Sequence, residues 1–144
     1  MIAASYIETF SILGRFFGQF ADGNRLPELK KLNDRFLEPF EAAIQKAQQE
    51  NPWFIHSFIK EAFRGLSYML QEDKLRQWMD SYSEINHGKT KEKTIAVIMA
   101  GNIPLVGFHD LLCVLVSGNS FLGKISSKDK QLLPVIKDIL GYLN

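Results

Sequence analysis

The sequence is poor in cysteine, in charge of one sign and in long hydrophobic runs, and each shortage excludes a class of protein. Its one cysteine, Cys113, cannot form an internal disulfide, so the chain fits a reducing compartment. A net charge of +1 with interspersed charges gives no basic face for nucleic acid or an anionic membrane. Glu8 and Arg15 interrupt the apolar N-terminal stretch, which also lacks a basic n-region. A signal peptide or membrane span is therefore not expected, and the cytoplasm is the expected location.

Two kinds of site motif are also missing. The sequence contains no G-x-G-x-x-G stretch and no Walker-type loop, which are the usual phosphate-binding fingerprints. The three histidines, His56, His87 and His109, share no metal-ligand spacing, so a zinc site is not expected. With 46% apolar and 23% charged residues, the 144-residue chain has the composition of one globular domain with a real core.

The first half of the sequence has the hydrophobic spacing of amphipathic helices. Apolar residues recur at intervals of three and four over residues 7–20, and Asp22-Gly23-Asn24 supplies turn residues that end this first helix. A second helix is predicted from about Pro27 to Glu50, with a kink or break at Pro39.

Two further helices are predicted before residue 85. Asn51 is a plausible N-cap and Pro52 suits the first position of a third helix, whose inward residues include Phe54 and Phe58. Asp73 is a plausible cap for a short fourth helix with Leu75, Trp78, Met79 and Tyr82 inward. The aromatic residues at positions 53, 54 and 58 are interpreted as core rather than as the lining of an acyl channel.

The hydrophobic period changes after the polar stretch INHGKTKEK (residues 85–93), which reads as a linker or surface turn. The continuous apolar run from Thr94 to Met99 is typical of a strand buried on both faces of a parallel sheet. A helix over Leu105–Val116, a strand over residues 120–126 and a last helix beginning at Ser127 or Asp129 follow. The predicted fold class is α+β or α/β: a helical region (1–88) and a right-handed βαβα unit (89–144).

Two Gly-Asn pairs occupy the turns of this unit. Gly101-Asn102 follows the first strand at its carboxyl end, which is where open α/β sheets bind ligands. Gly118-Asn119 lies at the opposite end, where a helix returns to the sheet and a left-handed conformation is often needed. The first pair is therefore a candidate site, and the second is interpreted as structural.

The stretch IAVIMAGNIPLVGFHDLLCVLVSGNSFLGKISSKD resembles the start of the cofactor-binding domain in the aldehyde dehydrogenase superfamily. That superfamily has a strand, a turn of the form P-W-N-F-P, a helix, Gly-Asn, a second strand and K-P-S-E. Within it the sequence is most similar to the acyl-CoA reductase branch, which includes the fatty acyl reductases of bacterial luminescence. The resemblance implies an oxidoreductase that converts an acyl thioester to an aldehyde through a cysteine acyl-enzyme.

The resemblance also implies roles for individual residues. Asn102 aligns with the asparagine whose amide hydrogen-bonds the thioester or hemithioacetal oxygen, and Gly101 and Pro104 belong to the same turn. Lys124 aligns with the lysine that contacts the adenosine ribose of the nicotinamide cofactor, and Ser126 with the serine of K-P-S-E. These residues are expected to bind acyl thioester and cofactor in the complete enzyme.

Two positions depart from that motif. Ile125 replaces its proline, which makes the turn less rigid, and Ser127 falls where glutamate is common. A carboxylate there would repel a 2′-phosphate, so serine predicts that NADPH is accepted, with NADH as the other candidate, and that Lys128 and Lys130 assist. No tightly bound cofactor is expected on this chain alone.

The nucleophile of the family is not expected among these residues. Cys113 lies mid-helix among apolar residues with no base nearby in the sequence, so it is interpreted as a buried structural thiol. Two parallel strands are also too few for a covered sheet, so the chain is expected to be a truncated, inactive N-terminal part. Exposed strand edges would then favour self-association.

Two other functions remain open. The chain is either part of the reductase or a non-catalytic helical interaction module with a vestigial nucleotide-binding βα unit, and a generic α/β nucleotide-binding protein is a third alternative. The pair His109-Asp110 follows the Asn102 turn by one helical turn. It is interpreted as a helix-start pair rather than as the lining of an acyl or nicotinamide pocket.

Overall fold

A computed structural model describes residues 2–82 and 91–143, with side chains from residue 5 onward. Most of the predicted linker over residues 85–93 lies outside these residues, as does His87. The helices and strands are α1 (Ile2–Asp22), a 3₁₀ turn (Pro27–Leu29), α2 (Lys30–Glu50), α3 (His56–Met69), α4 (Glu72–Asp80), β1 (Thr94–Ile98), α5 (Phe108–Val116), β2 (Ser120–Lys124) and α6 (Leu132–Leu143).

The first two helices agree with the prediction from hydrophobic spacing. α1 ends just before Gly23, whose φ of 77° is the left-handed conformation that glycine adopts at low cost. α2 continues through Pro39 without the predicted break. α1 packs closely against the end of α3 because Gly14 has no side chain: a Cβ there would lie 2.7 Å from the Cβ of Leu70, the residue that follows α3.

The third and fourth helices begin later or elsewhere than predicted. α3 begins at His56 rather than Pro52, and Phe58 is 56% exposed rather than inward, whereas Phe54 is buried as expected. Asp73 does not cap α4, because the N-cap position belongs to Gln71. Tyr82 lies beyond the end of that helix and is also exposed.

The two strands form a parallel pair in which Thr94 lies opposite Ser120 and Ile98 opposite Lys124. The fold is therefore mostly helical with a small two-stranded parallel sheet, as an α+β prediction requires. The prediction that β1 is buried on both faces is wrong. Its residues alternate between exposed and half-buried, and Ile98 is 82% exposed because nothing in the described parts of the chain packs on that face.

Two helix starts in this region were also predicted wrongly. α5 begins at Phe108 rather than Leu105, and α6 begins at Leu132 rather than at Ser127 or Asp129. The extra residues form loops in which side chains bond to backbone groups of other segments. The structural interpretation of Gly118 is confirmed, because its φ is 75° at the return from α5 to β2.

One hydrophobic core joins the helices on both sides of the undescribed residues. Phe17 of α1 contacts Phe40 of α2 and Phe63 of α3, with ring centroids 5.9 and 5.6 Å apart. Phe108 of α5 packs on the same ring at 5.7 Å, with its plane at 75° to that of Phe17. The loop between β1 and α5 therefore ends at a residue anchored in the aromatic core.

Candidate functional site

The loop from β1 to α5 lies directly against the loop that follows β2. Gly101 is buried, and a Cβ at that position would lie 2.4 Å from Ser126 Oγ and 2.8 Å from Ser126 Cβ. Only glycine permits this approach of the two loops. Two residues that the sequence singled out separately are therefore brought together at the carboxyl end of the parallel strands, the end at which open α/β sheets bind ligands.

The same loop contains a strained residue, Leu105. Its φ is 58°, the left-handed region that a branched side chain rarely adopts and that costs about 1–2 kcal/mol. Its backbone N–H donates a hydrogen bond of 2.7 Å to Asp129 Oδ2, and its side chain is buried. Pro104, one of the predicted site residues, is buried just before it. The carboxylate therefore holds this turn in a conformation that the chain would otherwise disfavour.

Asp129 itself lies in an unusual environment. It is buried at 8% exposure, and its second oxygen, Oδ1, has no hydrogen-bond partner among the described residues. Burial raises the pKa of this carboxyl, and the N–H of Leu105 offsets only part of that effect. The side chain was predicted only as a possible start for α6, and its bond to a backbone group 24 residues away has no signal in the sequence.

Asn51 connects three segments at this end of the molecule. Its Nδ2 donates to the carbonyl of Gly101 at 3.4 Å and to the carbonyl of Lys128 at 3.0 Å. Its Oδ1 accepts the backbone N–H of Trp53 at 3.0 Å. The N-cap role predicted for this residue is therefore wrong. The side chain instead ties the α2–α3 loop to both loops of the candidate site.

Asn102 lines an open cleft of about 550 Å³ at the junction of these segments. Its side chain is exposed, and the cleft is also lined by the residues Glu50, Asn51, Pro52, Trp53, Ala100, Gly101 and Lys128. Trp53 is 70% exposed beside this cleft, so its interpretation as a core residue is wrong. The exposed side chain of Asn102 therefore lines this cleft at the carboxyl end of β1.

The predicted cofactor-binding residues Lys124, Ser126 and Ser127 lie at the end of β2 or on the loop that follows it, and they do not line the cleft. Lys124 and Ser127 are exposed, and Ser126 is half-buried, with its Oγ accepting the N–H of Lys128 at 3.2 Å. The backbone carbonyl of Lys124 accepts the N–H of Met99 at 3.0 Å and so extends the strand pairing by one bond. The structure therefore brings these residues beside the Asn102 loop without placing them in one pocket with Asn102.

The two lysines expected to assist with a 2′-phosphate differ. Lys130 lies 3.5 Å from the carboxylate of Glu50, and Gln131 donates to the same carboxylate at 2.7 Å. The hydrogen bond from Gln131 and the charge of Lys130 lower the pKa of Glu50. Lys128 is exposed and forms no salt bridge with any of the described residues.

Cys113 is not the isolated buried thiol that was predicted. It is partly exposed and lies 3.6 Å from Nδ1 of His109, four residues earlier on α5. Both residues line a pocket of about 310 Å³ with Trp78 and Tyr82, apart from the Asn102 cleft. The spacing of four residues could have revealed this pair from the sequence. Burial, and then the charge of Asp110, raise the pKa of the thiol, which disfavours the thiolate.

The same pocket settles the position of His109. Its ring lies 6.0 Å from that of Trp78 and does not line the cleft that contains Asn102.

Among residues 2–82 and 91–143, no three His, Cys, Asp or Glu side chains are grouped to hold a metal ion. Nor does any helix in those two ranges combine the length and apolar character needed to cross a membrane.

The family model of acyl-CoA reductase (LuxC) matches residues 8–143. Because this match covers nearly the whole chain, including the α1–α4 region, the chain belongs to the acyl-CoA reductase (LuxC) family. No curated protein and no solved structure matches the chain.

Proposed function

We propose that these residues form the N-terminal part of an acyl-CoA reductase that converts an acyl thioester to an aldehyde. In the proposed reaction, a cysteine outside this chain attacks the thioester carbonyl and releases the CoA thiol, and the resulting acyl-enzyme is then reduced. The family match carries the proposal, because it names an acyl-CoA substrate and extends over residues 8–143. An aldehyde-dehydrogenase-like arrangement of the complete cofactor domain is part of the same proposal.

Asn102 is the proposed oxyanion donor. Its amide is exposed in a cleft at the carboxyl end of β1, and a neutral N–H donor there stabilises charge developing on the thioester oxygen. The two loops around it are held by hydrogen bonds from Asn51 and to Asp129. A donor on a fixed loop needs little rearrangement when the charge develops, which is the basis of its catalytic effect.

The end of β2 and the loop after it form the proposed cofactor-binding segment. Lys124, Ser126, Ser127 and Lys128 offer cationic and hydroxyl donors, and residues 124–128 contain no carboxylate that would repel a 2′-phosphate. This donor chemistry fits NADPH, and NADH is the weaker candidate. The nicotinamide cofactor supplies a hydride when bound. Lys124 would contact its adenosine ribose, Ser126 would belong to the same binding segment, and Ser127 and Lys128 would face the added phosphate.

Cys113 is not proposed as the nucleophile. The thiolate is the reactive form of cysteine, and burial raises the pKa of this thiol. The pocket of Cys113 also lies apart from the cleft of Asn102, whereas a nucleophile must attack the carbonyl whose oxygen the amide binds. The chain alone is therefore proposed to be catalytically inactive.

A second function is favoured by the uncovered face of the sheet. Ile98 and Leu122 are large, apolar and exposed on neighbouring strands. Such a face suits a non-catalytic interaction module, and it also favours self-association of this chain. Sedimentation velocity should show association that Ile98→Lys reduces and Phe58→Lys, an exposed site on α3, does not. A monomer at all concentrations would contradict self-association.

The reductase proposal is tested in the native polypeptide that carries these residues. Purified protein should oxidise NADPH in the presence of a long-chain acyl-CoA and form the aldehyde. Asn102→Ala should lower kcat by about 10²–10³-fold, the usual effect of losing an oxyanion donor. Absence of acyl-CoA-dependent oxidation with either NADPH or NADH would overturn the reductase proposal and favour the interaction module.

A further inference from the structure

Two of the four buried polar side chains in the described chain are used on the loop that carries Asn102. Asn51 is 6% exposed and Asp129 is 8% exposed. Burial of a polar side chain costs free energy unless the side chain forms hydrogen bonds. The hydrogen bonds of Asn51 and Asp129 therefore indicate the structural role of each residue. Both bond to the backbone of the same five-residue turn, residues 101–105.

The two bonds lie on either side of Asn102. Asn51 holds the carbonyl of Gly101, the residue just before it, and Asp129 holds the N–H of Leu105, three residues after it. Asn51 also holds the carbonyl of Lys128, the neighbour of Asp129. The turn is therefore fixed at both ends to one segment, residues 128–129, and to the end of α2.

The left-handed conformation of Leu105 makes this support necessary. Leucine at a φ of 58° tends to relax toward the right-handed or extended regions, and such a rotation would re-aim the backbone between the two bonds. Asp129 Oδ2 accepts the N–H of the strained residue itself, at 2.7 Å. The carboxylate is kept there although its other oxygen is left without a partner in the described structure.

We propose that Asn51 and Asp129 are positioning residues that aim the Asn102 amide into the cleft. Asn51 acts through the carbonyl of Gly101, and Asp129 acts through the backbone of Leu105. The inference rests on the proposed function in one respect, the role of Asn102 as oxyanion donor. The fixing of the loop is a separate claim that can be measured without any activity.

The first experiment measures the loop in this chain by NMR. In Asp129→Ala, exchange of the Leu105 amide hydrogen should accelerate at least about 10-fold, and relaxation of the Asn102 signals should show new motion. Asp129→Asn keeps an oxygen acceptor, so its Leu105 exchange should stay within about 3-fold of wild type. Asn51→Ala should mobilise Asn102 from the other side, which keeps the test valid if Asp129→Ala does not fold.

Gln19→Ala is the matched control. Gln19 is also buried, but it bonds Asn33 and the backbone of Leu26, far along the chain from this loop. Its loss should leave the amide exchange rate of Leu105 and the relaxation of the Asn102 signals unchanged, once the exchange rate is corrected for global stability. Equal effects of Gln19→Ala and Asp129→Ala on the Asn102 signals, or none from Asp129→Ala and Asn51→Ala, would overturn the proposal.

The second experiment measures kinetics in the native acyl-CoA reductase polypeptide. Asp129→Ala and Asn51→Ala should lower kcat by about 100-fold and leave KM for acyl-CoA within about 3-fold, because a misplaced donor acts in the transition state. Asp129→Asn should recover most of kcat, and Gln19→Ala should retain it. The positioning role is wrong if Asn102→Ala is inactive while Asp129→Ala and Asn51→Ala, whose loops are mobile by NMR, keep the wild-type kcat. If Asn102→Ala is fully active, the proposed donor role fails, and the NMR result alone decides whether the loop is fixed.

Discussion

The helical region (residues 2–82) and the strand-containing region (91–143) differ in what holds their parts in place. The first builds its interior from aromatic rings on α1, α2 and α3, packed at centroid distances between about 5 and 6 Å. The second adds Phe108 to that core but leaves one face of its sheet exposed. Its site loops are held by two buried polar side chains, Asp129 of this region and Asn51 at the end of α2.

This difference separates what stabilises the protein from what shapes its site. Burial of large apolar rings supplies most of the favourable free energy of folding and tolerates small rearrangements. A hydrogen bond contributes far less to stability, but it fixes the direction of one backbone group. The aromatic core should therefore govern the free energy of unfolding, and the polar bonds should govern the geometry of the Asn102 loop.

The largest expected effect comes from breaking the aromatic core. Phe17→Ala removes a fully buried ring that touches Phe40, Phe63 and Phe108, and should lower the free energy of unfolding by about 3–5 kcal/mol. Phe108 is the first residue of α5 and follows the Asn102 loop directly, so this loop should unfold in the same transition. Urea unfolding followed by far-UV circular dichroism and by NMR signals of the loop measures both.

Phe58→Ala is the matched control, since it removes the same ring from an exposed position on α3. It should change the free energy of unfolding by less than about 1 kcal/mol. Separate transitions for the helical and strand-containing regions in Phe17→Ala would contradict the view that one core joins them.

The two regions also differ in how far their sequence predicts their structure. α1 and α2 follow from apolar spacing because each turn of a helix reports on its own neighbours. The parallel pairing of β1 and β2 follows from the strand–helix–strand order. Exposure of Ile98 does not, because a β-branched run looks the same whether or not another element covers it.

The candidate site was predicted only in part for the same reason. Gly101 and Asn102 were recognisable from their place after a strand, and both line the cleft at that end of β1. Asn51 and Asp129 were read as local helix signals, yet they bond to groups 50 and 24 residues away. Contacts of that range depend on how distant elements pack, such as α2 against α6, which the spacing of residues does not encode.

A smaller effect is expected when the buried charge is removed from the strand-containing region. Burial raises the pKa of Asp129 above its ordinary value of 3.8. A carboxyl with a higher pKa in the folded chain favours folding when protonated, so its stabilising effect is present below about pH 3.8 and lost as the pH rises through the folded-state pKa. The free energy of unfolding of Asp129→Asn, relative to wild type, should therefore increase from pH 3.5 to pH 7.

The same series in 1 M salt distinguishes burial from surface charge effects. Salt screens exposed charges but leaves the desolvation of a buried carboxyl largely unchanged, so the difference between the two proteins should keep its pH dependence. Thermal or urea unfolding of both proteins at each pH measures the difference in their free energies of unfolding. A difference that does not vary with pH, or that falls as the pH rises, would show that Asp129 is not destabilised by its charge.

The smallest expected effect concerns the boundary between the two regions, where Cys113 of α5 faces Trp78 of α4 across a shared pocket. Burial and the charge of Asp110 raise the pKa of the thiol, so alkylation by iodoacetamide at pH 7.5 should be several-fold slower than that of a free cysteine and should still increase above pH 9. Asp110→Asn should accelerate the reaction at fixed pH, because it removes the second cause of the raised pKa. A fast reaction at neutral pH that His109→Ala abolishes would mean that the histidine 3.6 Å away activates the thiol. In that case the chain would hold a reactive nucleophile after all, and the division between a stabilising helical region and a site confined to the Asn102 loop would no longer hold.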